Sequence, residues 1–185
     1  MKTWLFTVGL LTVIPVFAQH DAHHNASADV QNNVQTKQEH SAYAGMQSRS
    51  IKALSEQQTA DLRAGKGMSL ALPAELNGYP GPAHALELAG PLGLSEEQKL
   101  KTQKLFEQMQ AEARALGEQV ISSEYELDRL FKDNKANAAS VQEATAKSAQ
   151  IQGRLRASHL RYHLSMMDVL TPAQVASYNK LRGYQ

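Results

Sequence analysis

Three side chains near the end of the chain have the types and spacing for metal chemistry. His159, His163 and Met167 follow one another in steps of four. On a helix that spacing lines up one face. Paired imidazoles bind zinc, copper, nickel or cobalt, and a thioether favours softer ions such as copper(I). A site needs three or four donors, more than one helix face supplies. From spacing alone, packing of the same three side chains along an apolar seam is the competing reading, since methionine at helical spacing is most often core. A second group of imidazoles, His20, His23 and His24, lies in a Gln-, Asn- and Ser-rich stretch. Dense histidine in such a composition suits weak metal capture.

Other chemistries find no support in the sequence. There is no cysteine, which excludes thiolate zinc sites, redox pairs and thiol nucleophiles. Gly65-Lys66-Gly67-Met68 lacks the spacing and the hydroxyl residue of a phosphate loop. Neither Gly-x-Ser-x-Gly nor His-Glu-x-x-His occurs. The expectation is a protein that is not an enzyme. Nineteen Lys and Arg stand against 18 Asp and Glu, and this balance argues against a nucleic-acid partner.

The elements that must position the histidines are helical. Phe106, Met109, Ala113, Leu116, Val120, Ser123, Leu127 and Leu130 alternate in steps of three and four. They predict one long helix over Ser95 to Asp133, about 58 Å at 1.5 Å per residue. Lys132 to Asn137 is a polar turn. A second stripe runs through Val141, Ala144, Ser148, Ile151, Leu155, Ser158, Tyr162, Met166 and Val169. Two long stripes with a short loop between them predict an antiparallel helical hairpin. Short helices are expected within Ser55 to Asn77 and near His84 to Leu88. Breaks fall at Gly78-Tyr79-Pro80-Gly81-Pro82 and at Gly90 to Gly93. The fold class is therefore all-α. Leu160, Leu164 and Met167 add a further apolar set to the second helix, to be covered by the short helices or by another copy of the chain. Uncovered apolar surface on an elongated hairpin makes a homodimer the expected state.

The start of the chain predicts export. Lys2, the apolar run Trp4 to Phe17 and Val16-Phe17-Ala18 form a secretory signal with cleavage after Ala18. The run is shorter than the ~20 residues a bilayer span needs, and Pro15 interrupts it. About 167 residues follow, enough for one domain. The expected organisation is a signal at 1–18, a flexible polar arm at 19–50 and a helical domain at 51–185. No later segment is apolar enough to span a membrane.

A local motif repeats at helix starts. In Leu170-Thr171-Pro172-Ala173-Gln174, Thr171 can cap a helix, Pro172 suits its first position and Gln174 can reach back to the Thr171 amide. Leu94-Ser95-Glu96-Glu97-Gln98 repeats the pattern, and so does Leu54-Ser55-Glu56-Gln57-Gln58. With an export signal, no cysteine and a long hairpin bracketed by Leu-Ser/Thr-x-x-Gln boxes, the chain resembles the LTxxQ superfamily. That group joins the Spy/CpxP periplasmic chaperones and the CnrX-type heavy-metal sensor and resistance proteins. The resemblance covers Leu94 to Leu181. It implies a curved, cradle-shaped, all-helical homodimer in the periplasm. CnrX-type proteins carry a His-x-x-x-Met pair before the last box, and His163 with Met167 matches it. Their other ligands, a His pair and a Glu on an earlier helix, have no match by motif; His84 is the only earlier histidine of the folded part.

Two function classes follow. One is a transition-metal-responsive protein acting through His163, Met167 and His159, with zinc, copper, nickel or cobalt as the ion, a membrane-bound partner to receive the signal, and no ion needed for the fold. The other is an ATP-independent chaperone, holding unfolded clients on a surface built from Arg154, Arg156, Arg161, Leu160 and Leu164.

Overall fold

A computed structural model describes residues 41–184. The expected export signal, and residues 19–40 of the expected polar arm, lie outside the described residues. Residues 41–50 form turns and a short 3-10 helix at Met46–Ser48. Six α-helices follow: α1 (Glu56–Ala64), α2 (Leu72–Glu75), α3 (Pro82–Glu87), α4 (Glu96–Lys132), α5 (Ala138–Met167) and α6 (Pro172–Arg182). There is no strand among the described residues.

The helix boundaries follow from their caps. Ser95 accepts a hydrogen bond from the Gln98 amide at the start of α4, and Asp133 ends that helix. Thr171 does the same for Gln174 at the start of α6, and Ser55 for Gln58 at the start of α1. Asn137 and Ser140 build a fourth box, at the start of α5. Each box satisfies two amides that would otherwise lack partners at a helix N-terminus.

The two long helices pack against each other through the predicted stripes. Met109, Ala113, Leu116, Val120 and Ser123 of α4 are buried, as are Ser148, Ile151, Leu155, Ser158, Tyr162 and Met166 of α5. Cross-links accompany this seam: Lys147 to Glu126, Ser148 and Gln152 to Glu124, and Arg161 with Tyr162 to Glu112. The acid-rich α4 and the more basic α5 thus pair within one chain.

The short helices lie on one side of this pair. α1 and α3 pack on α4, while α2 and α3 touch α5. One apolar cluster joins Leu62 of α1 to Ala113, Leu116, Val120, Ile151 and Leu155. A second gathers Ala85, Leu92, Leu94, Met166, Leu170 and Tyr178. The side they cover is the histidine side of α5, not the side of Leu164 and Met167. Leu164 is 57% exposed and Met167 38%. Cover of that apolar set by the short helices was one of two expectations, and the structure does not provide it.

Gly117 marks where α1 approaches α4 most closely. A β-carbon at this position would stand 2.4 Å from the Leu62 carbonyl oxygen, a backbone atom that cannot turn aside. By helix propensity alone Gly→Ala should gain about 1 kcal/mol. Here the clash wins, and Gly117→Ala should cost about 1–3 kcal/mol. Gly153 in α5 meets nothing within 4 Å, so Gly153→Ala should instead gain about 0.5–1 kcal/mol. Urea denaturation of both variants checks this, and equal signs would refute the close approach.

Candidate functional site

A cavity of about 620 Å³ opens between the short helices and the long pair. Its wall includes Glu75 from α2, His84 from α3, Met109 from α4, and His159 with His163 from α5. Its lip is the loop Gly65–Ser69, where Met68 and Ser69 adopt left-handed backbone at φ 44° and 63°. Left-handed backbone at non-glycine residues is uncommon and costs of order 1–3 kcal/mol each.

Glu75 is the centre of this site, and it is 5% exposed. Its Oε1 accepts from His84 Nδ1 at 3.1 Å, from the Tyr178 hydroxyl, and from the Tyr184 hydroxyl at 3.0 Å. Arg182 Nε stands 3.6 Å away. Oε2 has no hydrogen-bond partner and lies 3.7 Å from His163 Nδ1. Burial alone would raise the pKa of this carboxyl; the hydrogen bonds from His84, Tyr178 and Tyr184, and the charge His84 carries when protonated, outweigh it and hold the pKa down at about 2. Glu75 is thus a carboxylate. The Tyr178 hydroxyl is pushed well above its ordinary value by burial and by its bond to Glu75, and stays protonated.

The histidines are set by their second nitrogens. His163 Nδ1 donates to the Tyr79 carbonyl at 2.7 Å, and His84 Nδ1 donates to Glu75. A proton fixed on Nδ1 leaves Nε2 of the neutral ring as a lone-pair donor. Metal-ligating histidines have this orientation: the other N–H is committed to a carbonyl or carboxylate. His159 is 2% exposed, and its Nε2 is buried without a partner. Burial first, and then the neighbouring His163, lower its pKa against the weaker pull of Glu112, so its ring is neutral at pH 7. Gly81 lets the His163 ring in, since a β-carbon there would stand 2.8 Å from Cε1.

The residues therefore fit a transition ion by donor type and by orphaned atoms. Among the described residues, no three His, Asp or Glu side chains are grouped closely enough to hold an ion in their present rotamers. Ligation requires these donors to draw closer together.

Of the sequence-derived residues, the structure brings His159 and His163 onto one cavity wall and places Met167 outside it. Each step of four on an α-helix turns 40° beyond a full circle, so Met167 lies 80° around the helix from His159. Arg154, Arg156 and Leu164 are exposed, Leu160 is half-buried, and Arg161 pairs with Glu112. The boxes also meet each other. Gln98 Nε2 donates to Gln174 Oε1 at 2.8 Å, and Gln174 Nε2 donates back to Gln98 Oε1 at 3.0 Å. Leu94 and Leu170 pack in the apolar cluster beside them. Glu75 was missed from sequence. Its one signal is that it carries the only charge in Leu70-Ala71-Leu72-Pro73-Ala74-Glu75-Leu76.

In comparison with known proteins, no family model, no curated protein and no solved structure matches this chain. Among the described residues, no helix is long and apolar enough to cross a membrane.

Proposed function

We propose that this is an exported, non-enzymatic, transition-metal-responsive protein whose cavity binds one ion through His163, His159 and His84 with Glu75. The observation that carries the reading is the pair of Nδ1–H groups committed to Tyr79 and Glu75, which leaves the Nε2 atoms of His163 and His84 as the donors, on a cavity wall that also includes His159 with its partnerless Nε2. The resemblance to the LTxxQ superfamily supports the same reading and extends it: an antiparallel hairpin, homodimeric, periplasmic after cleavage at Ala18, with a membrane-bound partner to receive the signal. The cross-links of α4 to α5 run in opposite residue order, as an antiparallel pair requires. Bound ion would supply a fixed positive charge next to Glu75 and cross-link α2, α3 and α5. Calorimetric titration with zinc, copper, nickel and cobalt tests this, on the chain from Gln19 with His20, His23, His24 and His40 changed to alanine. No binding at micromolar levels would refute it.

A second reading, an ATP-independent chaperone, is favoured by one observation: Leu164 and Met167 stay exposed on α5, with Arg154 and Arg156 exposed on the same helix. An apolar and basic face of this kind suits unfolded clients. On this reading, equimolar protein suppresses aggregation of an unfolded enzyme without ATP or metal, and Leu164→Asp abolishes the effect. Suppression that survives Leu164→Asp would count against this face as the client surface.

A further inference from the structure

Glu75 divides its two oxygens between two parts of the molecule. Oε1 carries three donors, two of them, Tyr178 and Tyr184, from α6 and the residues just after it. Oε2 is buried, lies 3.7 Å from His163 Nδ1 and carries none. A carboxylate offers about four lone-pair positions over both oxygens. Crowding of donors on one oxygen, with the other left bare, marks Oε2 as the position for a positive group. Arg182, the one formal cation of the clasp, stands 3.6 Å from Oε1 and on that same side.

We propose that Glu75 is the element through which cation binding in the cavity is read out as release of the clasp at Arg182 and Tyr184. The inference rests on the metal reading above and adds its regulation. A divalent ion at Oε2 draws electron density out of the carboxylate, so Oε1 becomes a weaker acceptor. The ion's charge also repels Arg182. Both effects loosen contacts of the same oxygen, and in the same direction. Tyr178 is fully buried in the apolar cluster and keeps α6 seated. Tyr184 and Arg182 are half-buried and able to leave. The coupling is reciprocal, since two ligands of one carboxylate alter each other's affinity by the same factor. Loosening the clasp must therefore tighten cation binding.

The test uses the arm-substituted chain described above and zinc alone as probe. Saturating zinc should speed hydrogen exchange at the Gly183 and Tyr184 amides, which are held by Lys180 and Asn179 carbonyls, by roughly fivefold or more. Tyr184→Phe removes one clasp donor at a half-buried position and should tighten zinc binding by a comparable factor. Reciprocity makes these a single quantity, so zinc binding with either readout unchanged overturns the inference and leaves the metal reading standing. Absence of zinc binding overturns both.

Discussion

Glu75→Ala should destabilise the protein by about 3–5 kcal/mol, the cost of removing one partner from a buried charged cluster. The loss follows from what remains behind. Tyr178 is fully buried, and His84 and Tyr184 are half-buried, each left without its Glu75 acceptor, and Arg182 beside them loses its carboxylate neighbour. Against a total stability of 5–15 kcal/mol for typical domains, that is a large share. Glu75→Gln keeps an acceptor and should cost less. Both variants also differ from the native protein in pH response. The carboxyl has a pKa of about 2 in the folded chain against an ordinary 4.5. Between these values the unfolded chain binds a proton that the folded chain refuses, so stability falls as the pH falls. The full contribution, of order 3 kcal/mol, is present above about pH 4.5 and fades toward pH 2. The gap between native protein and Glu75→Gln should shrink across that window in urea titrations. An alanine variant within 1 kcal/mol of the native chain, or a gap that ignores pH, would mean the carboxylate is not clasped.

His163→Ala should weaken ion binding by at least tenfold to a hundredfold, the range seen when even an outer-sphere partner is lost. His163 is the ring on which the site's geometry converges: its Nδ1 is fixed by Tyr79, its edge rests on Gly81, and Glu75 Oε2 is its neighbour. His84→Ala should act in the same sense and serves as a second variant on a different helix. Met167→Ala should leave affinity unchanged, since Met167 is outside the cavity wall. Binding requires neutral imidazole, so affinity should fall on acidification. An ion at a hundredfold excess over its dissociation constant should add about 2.7 kcal/mol of stability. Isothermal titration of the three variants decides the matter; a loss at Met167→Ala equal to that at His163→Ala would return the site to the outer face of α5.

The contrast between His163 and Met167 shows how far sequence could reach. Period and caps are local properties, so the stripes from Phe106 to Leu130 and from Val141 to Val169, and the boxes at Ser95 and Thr171, were legible. Spacing of four shows which residues share a helix side, but not how wide the opening beside that side is. Met167 is lost from the site for this reason. Glu75 was illegible for another. Its partners His84, Tyr178 and Tyr184 are 9, 103 and 109 residues away, and a pattern of periods holds no record of such meetings. The same is true of the Gln98–Gln174 contact, 76 residues apart, although each glutamine was identified in its own box.

That glutamine pair has a mechanical consequence. Both members are neutral amides, so their mutual bonds respond neither to acid nor to added salt. The first turn of α6 is pinned there, while Arg182 and Tyr184 hang on a charged oxygen at the far end. α6 thus has an inert fastening at its start and an ionic one at its end. On the proposed coupling, an ion at Glu75 loosens the ionic end alone, while the glutamine pair and the buried Tyr178 keep the helix seated.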